Sequence, residues 1–326
     1  MAKSIFARIS LLCTSSLFIL FTGCSPQKEP AGIINFETID KNDEFRKSVQ
    51  TGSFIRLSAG YTYYEYENKE ADTLLVMVHG FSVPSYIWDS TYYAAIKRGY
   101  GALRYDAYGR GYSDNPDAIY DAAFFSGQLS ELLDSLQINQ KIHLLGLSNG
   151  GRTITAFAYQ YPEKINNLIY VDPSGFETIP SESLYPAMVS ESEVQDFKKT
   201  DNYRLMAKGQ LSDFYDSLPF SGWDKRYEEN MKYKGFARAL ISTRKNSPSM
   251  DREHRQIAQS RIPVFCIWGE HDSVVRLEEV KDNLHDRIPE VELFVIPKAG
   301  HLPHMEQTQM FNSILFDQII CCEHPQ

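Results

Sequence analysis

The stretch Lys141–Tyr161, KIHLLGLSNGGRTITAFAYQY, constrains the chain more than any other. Ile142–Leu147 is a short apolar run that reads as a buried strand, and from Thr153 onward the pattern is helical. Between them lies Gly146-Leu147-Ser148-Asn149-Gly150, a G-x-S-x-G. A strand that becomes a helix within about five residues forces Ser148 into a strained turn, and the small glycines let the two elements pack that closely. The hydroxyl is left standing at the sheet edge. The unpaired N–H groups and positive dipole end of the following helix point at the same spot, where they would stabilise a developing negative oxygen. A G-x-S-x-G without these flanks arises readily by chance, but here both flanks fit. The requirement that follows is an acid and then a histidine, later in the chain and near strand ends.

The chain has 326 residues, 43% of them hydrophobic, enough for one large α/β core or two smaller ones. Its net charge of −9 and lack of a basic cluster exclude nucleic acid as an expected partner. Lys3 and Arg8, the apolar run Ile9–Phe21 and the small residues up to Cys24 form a secretory signal pattern, expected at 1–23. The run is short for a bilayer span. Phe21-Thr22-Gly23-Cys24 resembles the lipobox of bacterial lipoproteins, with Phe where Leu is usual. The resemblance implies export and attachment to a membrane of the cell envelope through a lipid on Cys24; the alternative is an ordinary cleaved signal in which Cys24 is incidental. Residues 24–51 are polar and charge-rich and read as a linker, with Ile33–Phe36 able to pack somewhere. Cys266 sits in an apolar strand as a small core residue, and no Cys/His spacing reads as a metal site or disulfide framework, so neither metal nor cofactor is expected.

Phe54–Tyr66 alternates as one or two antiparallel strands, and Thr73–Val78 is the first strand buried on both faces. It ends in His79-Gly80-Phe81, with a helical stretch over Ser85–Arg98. Gly101–Tyr105 is another strand, followed by Asp106-Ala107-Tyr108-Gly109-Arg110-Gly111-Tyr112-Ser113, and Phe124–Leu136 is an amphipathic helix. Asn167–Val171 is a strand that ends at Asp172. From Gly175 to Arg261 the rhythm breaks into short helical pieces with scattered aromatic residues, Phe197, Tyr203, Phe214, Trp223, Tyr227 and Phe236 among them. Strand Val264–Trp268 leads into Gly269-Glu270-His271-Asp272-Ser273-Val274-Val275. Edge strand Glu292–Ile296 leads into Gly300-His301-Leu302-Pro303-His304-Met305-Glu306, with a helix over Phe311–Ile320.

These motifs, in this order, resemble the α/β-hydrolase family over about Phe54–Ile320. The resemblance implies a mostly parallel central sheet with helices on both faces, formed by 52–174 and 262–326, with a helical cap over 175–261 inserted after the sixth strand. It implies that Ser148 is the nucleophile, Asp272 the acid and His301 the base, and that the main-chain N–H groups of Phe81 and Asn149 form the oxyanion hole. Asp172 is the rival acid, because some lineages place it after that strand, and His304 is the competing base. His79 is expected to prop its loop, and Asp106 and Arg110 to hold two loops together by ionic hydrogen bonds. The cap aromatics either line an apolar substrate pocket or form the cap's own small core.

A serine at the elbow argues against the dehalogenase and epoxide hydrolase branches, which use aspartate there. The leading expectation is hydrolysis of a small apolar carboxylic ester. C–C bond hydrolysis of dienoic ring-cleavage products is an alternative, although Leu302 stands where those enzymes often have Trp. A proline-type aminopeptidase would need acids in the cap to grip an ammonium, which Glu191, Glu193, Asp196, Asp213 and Asp216 could supply. A noncatalytic binding module on the same scaffold is the alternative from another class, because fold does not fix function.

Overall fold

The computed structural model describes residues 35–178 and 186–321. The signal pattern at 1–23 and Cys24 lie outside these residues. Eight strands form one sheet in the order β1-β2-β4-β3-β5-β6-β7-β8. They are β1 (Ser53–Arg56), β2 (Tyr61–Glu67), β3 (Leu74–Val78), β4 (Gly101–Tyr105), β5 (Ile142–Leu147), β6 (Ile165–Val171), β7 (Val264–Gly269) and β8 (Glu292–Ile296). β2 runs antiparallel to β1 and β4, and every other pairing is parallel.

All residues of β3, β4, β5 and β7 are buried, as continuous apolar runs covered on both faces should be. Strand alternation divides their side chains between two cores. Leu75, Met77, Leu145, Leu147 and Ile267 face one side, and Leu74, Val76, Leu144, Cys266 and Trp268 face the other. Helices α3 (Ala122–Ser135) and α4 (Asn149–Gln160) contribute Leu129, Leu132, Ile154 and Phe157 to the second core. Asp121 caps α3 by accepting from Phe124 N–H, which explains why the helix starts two residues before its apolar period. The chain winds from β3 to β4 in one direction and to β5 in the other. The C-terminal ends of β3 and β5 therefore flank the crevice where open α/β sheets bind ligands.

Two expectations about the borders need correction. Residues 35–48, read as part of a linker, pack as a strap that includes helix α1 (Asp43–Ser48). Ile39 bridges to Tyr233, and the buried Glu37 carboxylate accepts from Gly235 and Ala237 N–H while pairing with Lys198 at 3.3 Å. Lys41 is half-buried against the Ser113 carbonyl and Asn115, and desolvation there lowers its ammonium pKa to about 7. Such bonds cost an extended charged segment its solvation and are kept only because each buried charge is partnered.

The insertion between β6 and β7 is the second case. After α2 (Asp89–Lys97) in the first half, it holds α5 (Glu191–Lys198), α6 (Asp201–Arg204), α7 (Met206–Gly209), α8 (Trp223–Met231), α9 (Phe236–Lys245) and α10 (Asp251–Gln259). Helix α10 packs against α4 and α11 (Leu277–Arg287), and its Ile257 joins the second core. The residues expected to end the cap at 261 thus belong, from 251 onward, to the layer that flanks the sheet. Most cap aromatics, including Tyr203, Trp223, Tyr227 and Phe236, are buried in the cap's own packing with the first core. The C-terminal helical region comprises α12 (Pro303–Glu306), α13 (Thr308–Ser313) and a wider π-type stretch, Ile314–Ile320.

Candidate active site

Ser148 is the single residue between the end of β5 and the start of α4, and its backbone has φ 52° and ψ −120°. A side chain in that region costs about 1–3 kcal/mol and persists only where the surroundings hold it. Here Ser148 N–H donates to Val171 O at 2.9 Å, and Ser148 O accepts from Gly151 and Ser174 N–H at 2.8 and 3.1 Å. The glycines on either side are required by space. A Cβ on Gly146 would sit 2.7 Å from Gly150 O, and one on Gly150 would sit 2.6 Å from Val78 O. The loop after β3 is just as close: a Cβ on Gly80 would lie 3.3 Å from the Ser148 Cβ.

His79 fastens that loop. Its Nε2 accepts from Ala107 N–H at 2.9 Å, so Nδ1 carries the proton and donates to Gly80 O. Burial lowers the pKa to about 3, which keeps the ring neutral in this propping role. Arg110 and Asp106 do hold loops together by charged hydrogen bonds, each through partners of its own. Arg110 donates to Phe81 O at 2.7 Å and to Thr243 Oγ1 on α9 at 2.8 Å, so it ties the loop to the cap. Asp106 accepts from Ser85 and Tyr112 N–H.

Asp272 and His301 meet from the loops after β7 and β8. His301 Nδ1 and Asp272 Oδ2 are 2.8 Å apart, and both residues are buried. Asp272 Oδ1 accepts from Val274 and Val275 N–H at 2.7 and 3.0 Å, so the carboxylate is an acceptor throughout and Nδ1 of His301 is the donor. That leaves Nε2 with a lone pair. Burial alone would lower the imidazole pKa; the hydrogen bond and charge of Asp272, with the charge of Asp213, outweigh it and raise the pKa above its ordinary value. His304 is turned elsewhere: Nε2 donates to Ile87 O at 2.9 Å and the ring lies against Trp88.

Ser148 and His301 line one cavity of about 160 Å³ with Phe81, Val83, Ile87, Leu147 and Leu302. Asn149 begins α4, so its N–H is among the helix's first unpaired donors. Two cap residues that no motif singles out for this place, Gln210 and Asp213, also face the cavity. Burial raises the Asp213 pKa to about 6, and its carbonyl accepts from His301 N–H at 2.7 Å. Glu306 fixes the same junction by accepting from Gly300 and Asp216 N–H. A second cavity of about 470 Å³ runs between Phe81 and cap residues Phe197, Leu240, Ile241 and Arg244. Phe81 lines both cavities.

Among the described residues, the one group whose atoms could gather round a cation is Asp172, Asp272 and His301, within 4.8 Å of one another. Hydrogen bonds to Gly269, Val274, Val275 and between Asp272 and His301 already engage most of those atoms.

Comparison with known proteins agrees with this architecture. The chain is 26% identical over 307 residues to lipase 1 of Psychrobacter immobilis, covering 90% of this chain and 92% of the lipase. It is 28% identical over 254 residues to a 2-hydroxy-6-oxononadienedioate/2-hydroxy-6-oxononatrienedioate hydrolase of Paraburkholderia phymatum, covering 74% and 85%. Among solved structures, an esterase from Exiguobacterium antarcticum superposes with a TM-score of 0.67 at 20% identity, covering 82% of this chain and 98% of the esterase, a likeness of fold. The sequence profile of the alpha/beta hydrolase fold matches residues 73–308, and with it the chain belongs to that family.

Proposed function

We propose that the chain is a serine hydrolase of small carboxylic esters, with Ser148 as nucleophile, His301 as base and Asp272 as the acid that orients it. The observation that carries the reading is the bond from His301 to Asp272, with His301 lining the same cavity as Ser148. Ser148 Oγ attacks the ester carbonyl carbon while His301 Nε2 takes its proton. The carbonyl oxygen becomes an oxyanion held by the N–H groups of Phe81 and Asn149. Collapse expels the alcohol, which receives the proton from His301 and leaves an acyl group on Ser148. Water, deprotonated by His301, then attacks that acyl carbon and releases the acid, returning the proton to Ser148.

Similarity to a C–C hydrolase keeps that chemistry in view, but the cavity's charge favours the ester. The name of the Paraburkholderia relative specifies a dicarboxylate, and a site for one calls for cations. The lining here is apolar apart from Ser82, Ser148, Gln210, Asp213 and His301, and Asp213 would repel an anionic substrate. Export and attachment through a lipid on Cys24 belong to the same proposal.

A fluorophosphonate probe is expected to label the wild-type protein and not Ser148→Ala, and Ser148→Ala and His301→Ala should each lower ester turnover about a thousandfold or more. A folded wild type that takes no label would replace the enzyme with a binding module.

A further inference from the structure

The acid end of the site holds two carboxyl groups. Asp172 follows β6 with φ 42°, and its N–H continues the ladder to Ile267 O at 3.0 Å. Its side chain is fully buried, and Oδ1 accepts from Gly269 N–H at 2.9 Å. Oδ2 is buried with no donor to meet it. Asp272 is close by: one oxygen of each carboxyl and one ring nitrogen of His301 all lie within 4.8 Å of one another.

We infer, resting on the reading of Ser148, Asp272 and His301 above, that Asp172 is a positioning residue: its neutral carboxyl donates a hydrogen bond to the Asp272 carboxylate and holds it toward His301. An ionised Asp172 would leave Oδ2 an orphaned acceptor beside a second buried negative charge, a combination costing several kcal/mol in a low-dielectric interior. Protonation removes both penalties at once, because the orphan becomes a donor. The proton goes to Asp172 and not to Asp272 because Asp272 already accepts from two backbone N–H groups and an imidazole, while Asp172 accepts from one N–H.

The surroundings agree in sign. Of the titratable groups that act on this pair, Cys266 from β7 is a neutral thiol, Glu306 from α12 and Asp213 from the cap are acids, and His301 alone can become cationic. Burial, followed by the charge of Asp272, pushes the Asp172 carboxyl well above the usual carboxylate range.

The test compares wild type, Asp172→Asn and Asp172→Ala by kcat/KM for p-nitrophenyl butyrate against pH. Asparagine is neutral and can accept from Gly269 while donating to Asp272. The expected result is turnover within a few fold of wild type, with the acid limb at the same pH. Alanine removes the donor, and kcat is expected to fall about ten- to a hundredfold with KM little changed. Collapse of Asp172→Asn to the level of Asp272→Asn would make Asp172 the imidazole's ionised partner and overturn the proposal. So would an acid limb moved to lower pH in Asp172→Asn, since only loss of a negative charge lowers the His301 pKa, and so would wild-type kcat in Asp172→Ala. Should Asp172→Ala not fold, the asparagine variant decides. Absence of ester turnover in wild type would instead overturn the functional reading. The His301 Nδ1 proton resonance would then still report on the pair: persistence in Asp172→Asn supports it, and loss there refutes it.

Discussion

Gly150→Ala tests whether the close approach of the elbow to the end of β3 depends on the absence of a single methyl group. A Cβ at Gly150 would stand 2.6 Å from Val78 O and 2.7 Å from His79 O, both backbone atoms, so no side chain can swing aside. Ordinary contact at 3.4 Å requires α4 and the end of β3 to separate by about 0.8 Å. Alanine in a helix gains about 0.5–1 kcal/mol over glycine, whereas overpacking of this kind costs about 1–3 kcal/mol. The net expectation is a loss of about 1–2 kcal/mol, read as a melting temperature lower by roughly 2–6 °C.

Activity should suffer more than stability. The displaced carbonyls belong to the strand end that carries Gly80 and Phe81, and a misplacement of about 1 Å near reacting groups costs on the order of a hundredfold in rate. Gly127→Ala is the control. It lies inside α3, has no heavy atom within 4 Å of the added Cβ, and is expected to raise stability by about 0.5–1 kcal/mol with unchanged turnover. Thermal unfolding followed by circular dichroism, with p-nitrophenyl butyrate kinetics on the same samples, reads both effects. A Gly150→Ala protein as stable and as active as wild type would refute the steric argument.

Phe81 lines both the 160 Å³ and the 470 Å³ cavity, so Phe81→Ala is expected to join them. The ratio of kcat/KM for p-nitrophenyl laurate over acetate should rise at least about tenfold, since each newly buried methylene is worth about 0.8 kcal/mol; an unchanged chain-length profile would contradict the partition. For the exported form, the mature chain should partition into Triton X-114 through its lipid and Cys24→Ala should not. Equal partition of the two proteins would dispose of the anchor.

What could be read from the sequence was what short-range sterics decide. Gly146, Ser148 and Gly150 are confined to one turn, and the apolar runs Leu74–Val78 and Val264–Gly269 are confined to buried strands. Lys41 and Glu37 were not legible, because a charged residue in a polar stretch reads as solvated until partners such as Asn115 and Gly235, remote along the chain, are brought to it. The partners of Arg110 were not legible for the same reason, since the carbonyl belongs to the loop after β3 and the hydroxyl to α9. Asp213 was one of five cap acids with equal claim, and nothing local separates the one that lines a cavity with Ser148 and His301 from the other four.

Asp172 shows a different failure. Treating it as the rival of Asp272 assumes that one catalytic carboxylate excludes the other, yet β6 and β7 are adjacent parallel strands paired at Val171 and Ile267. Asp172 directly follows β6, and the turn after β7 brings Asp272 back so that an oxygen of each lies within 4.8 Å of the other. Two acids there must interact whatever role either one has. The physical question is then which of them keeps the proton, and the proposal above assigns it to Asp172, which accepts from one N–H where Asp272 accepts from two.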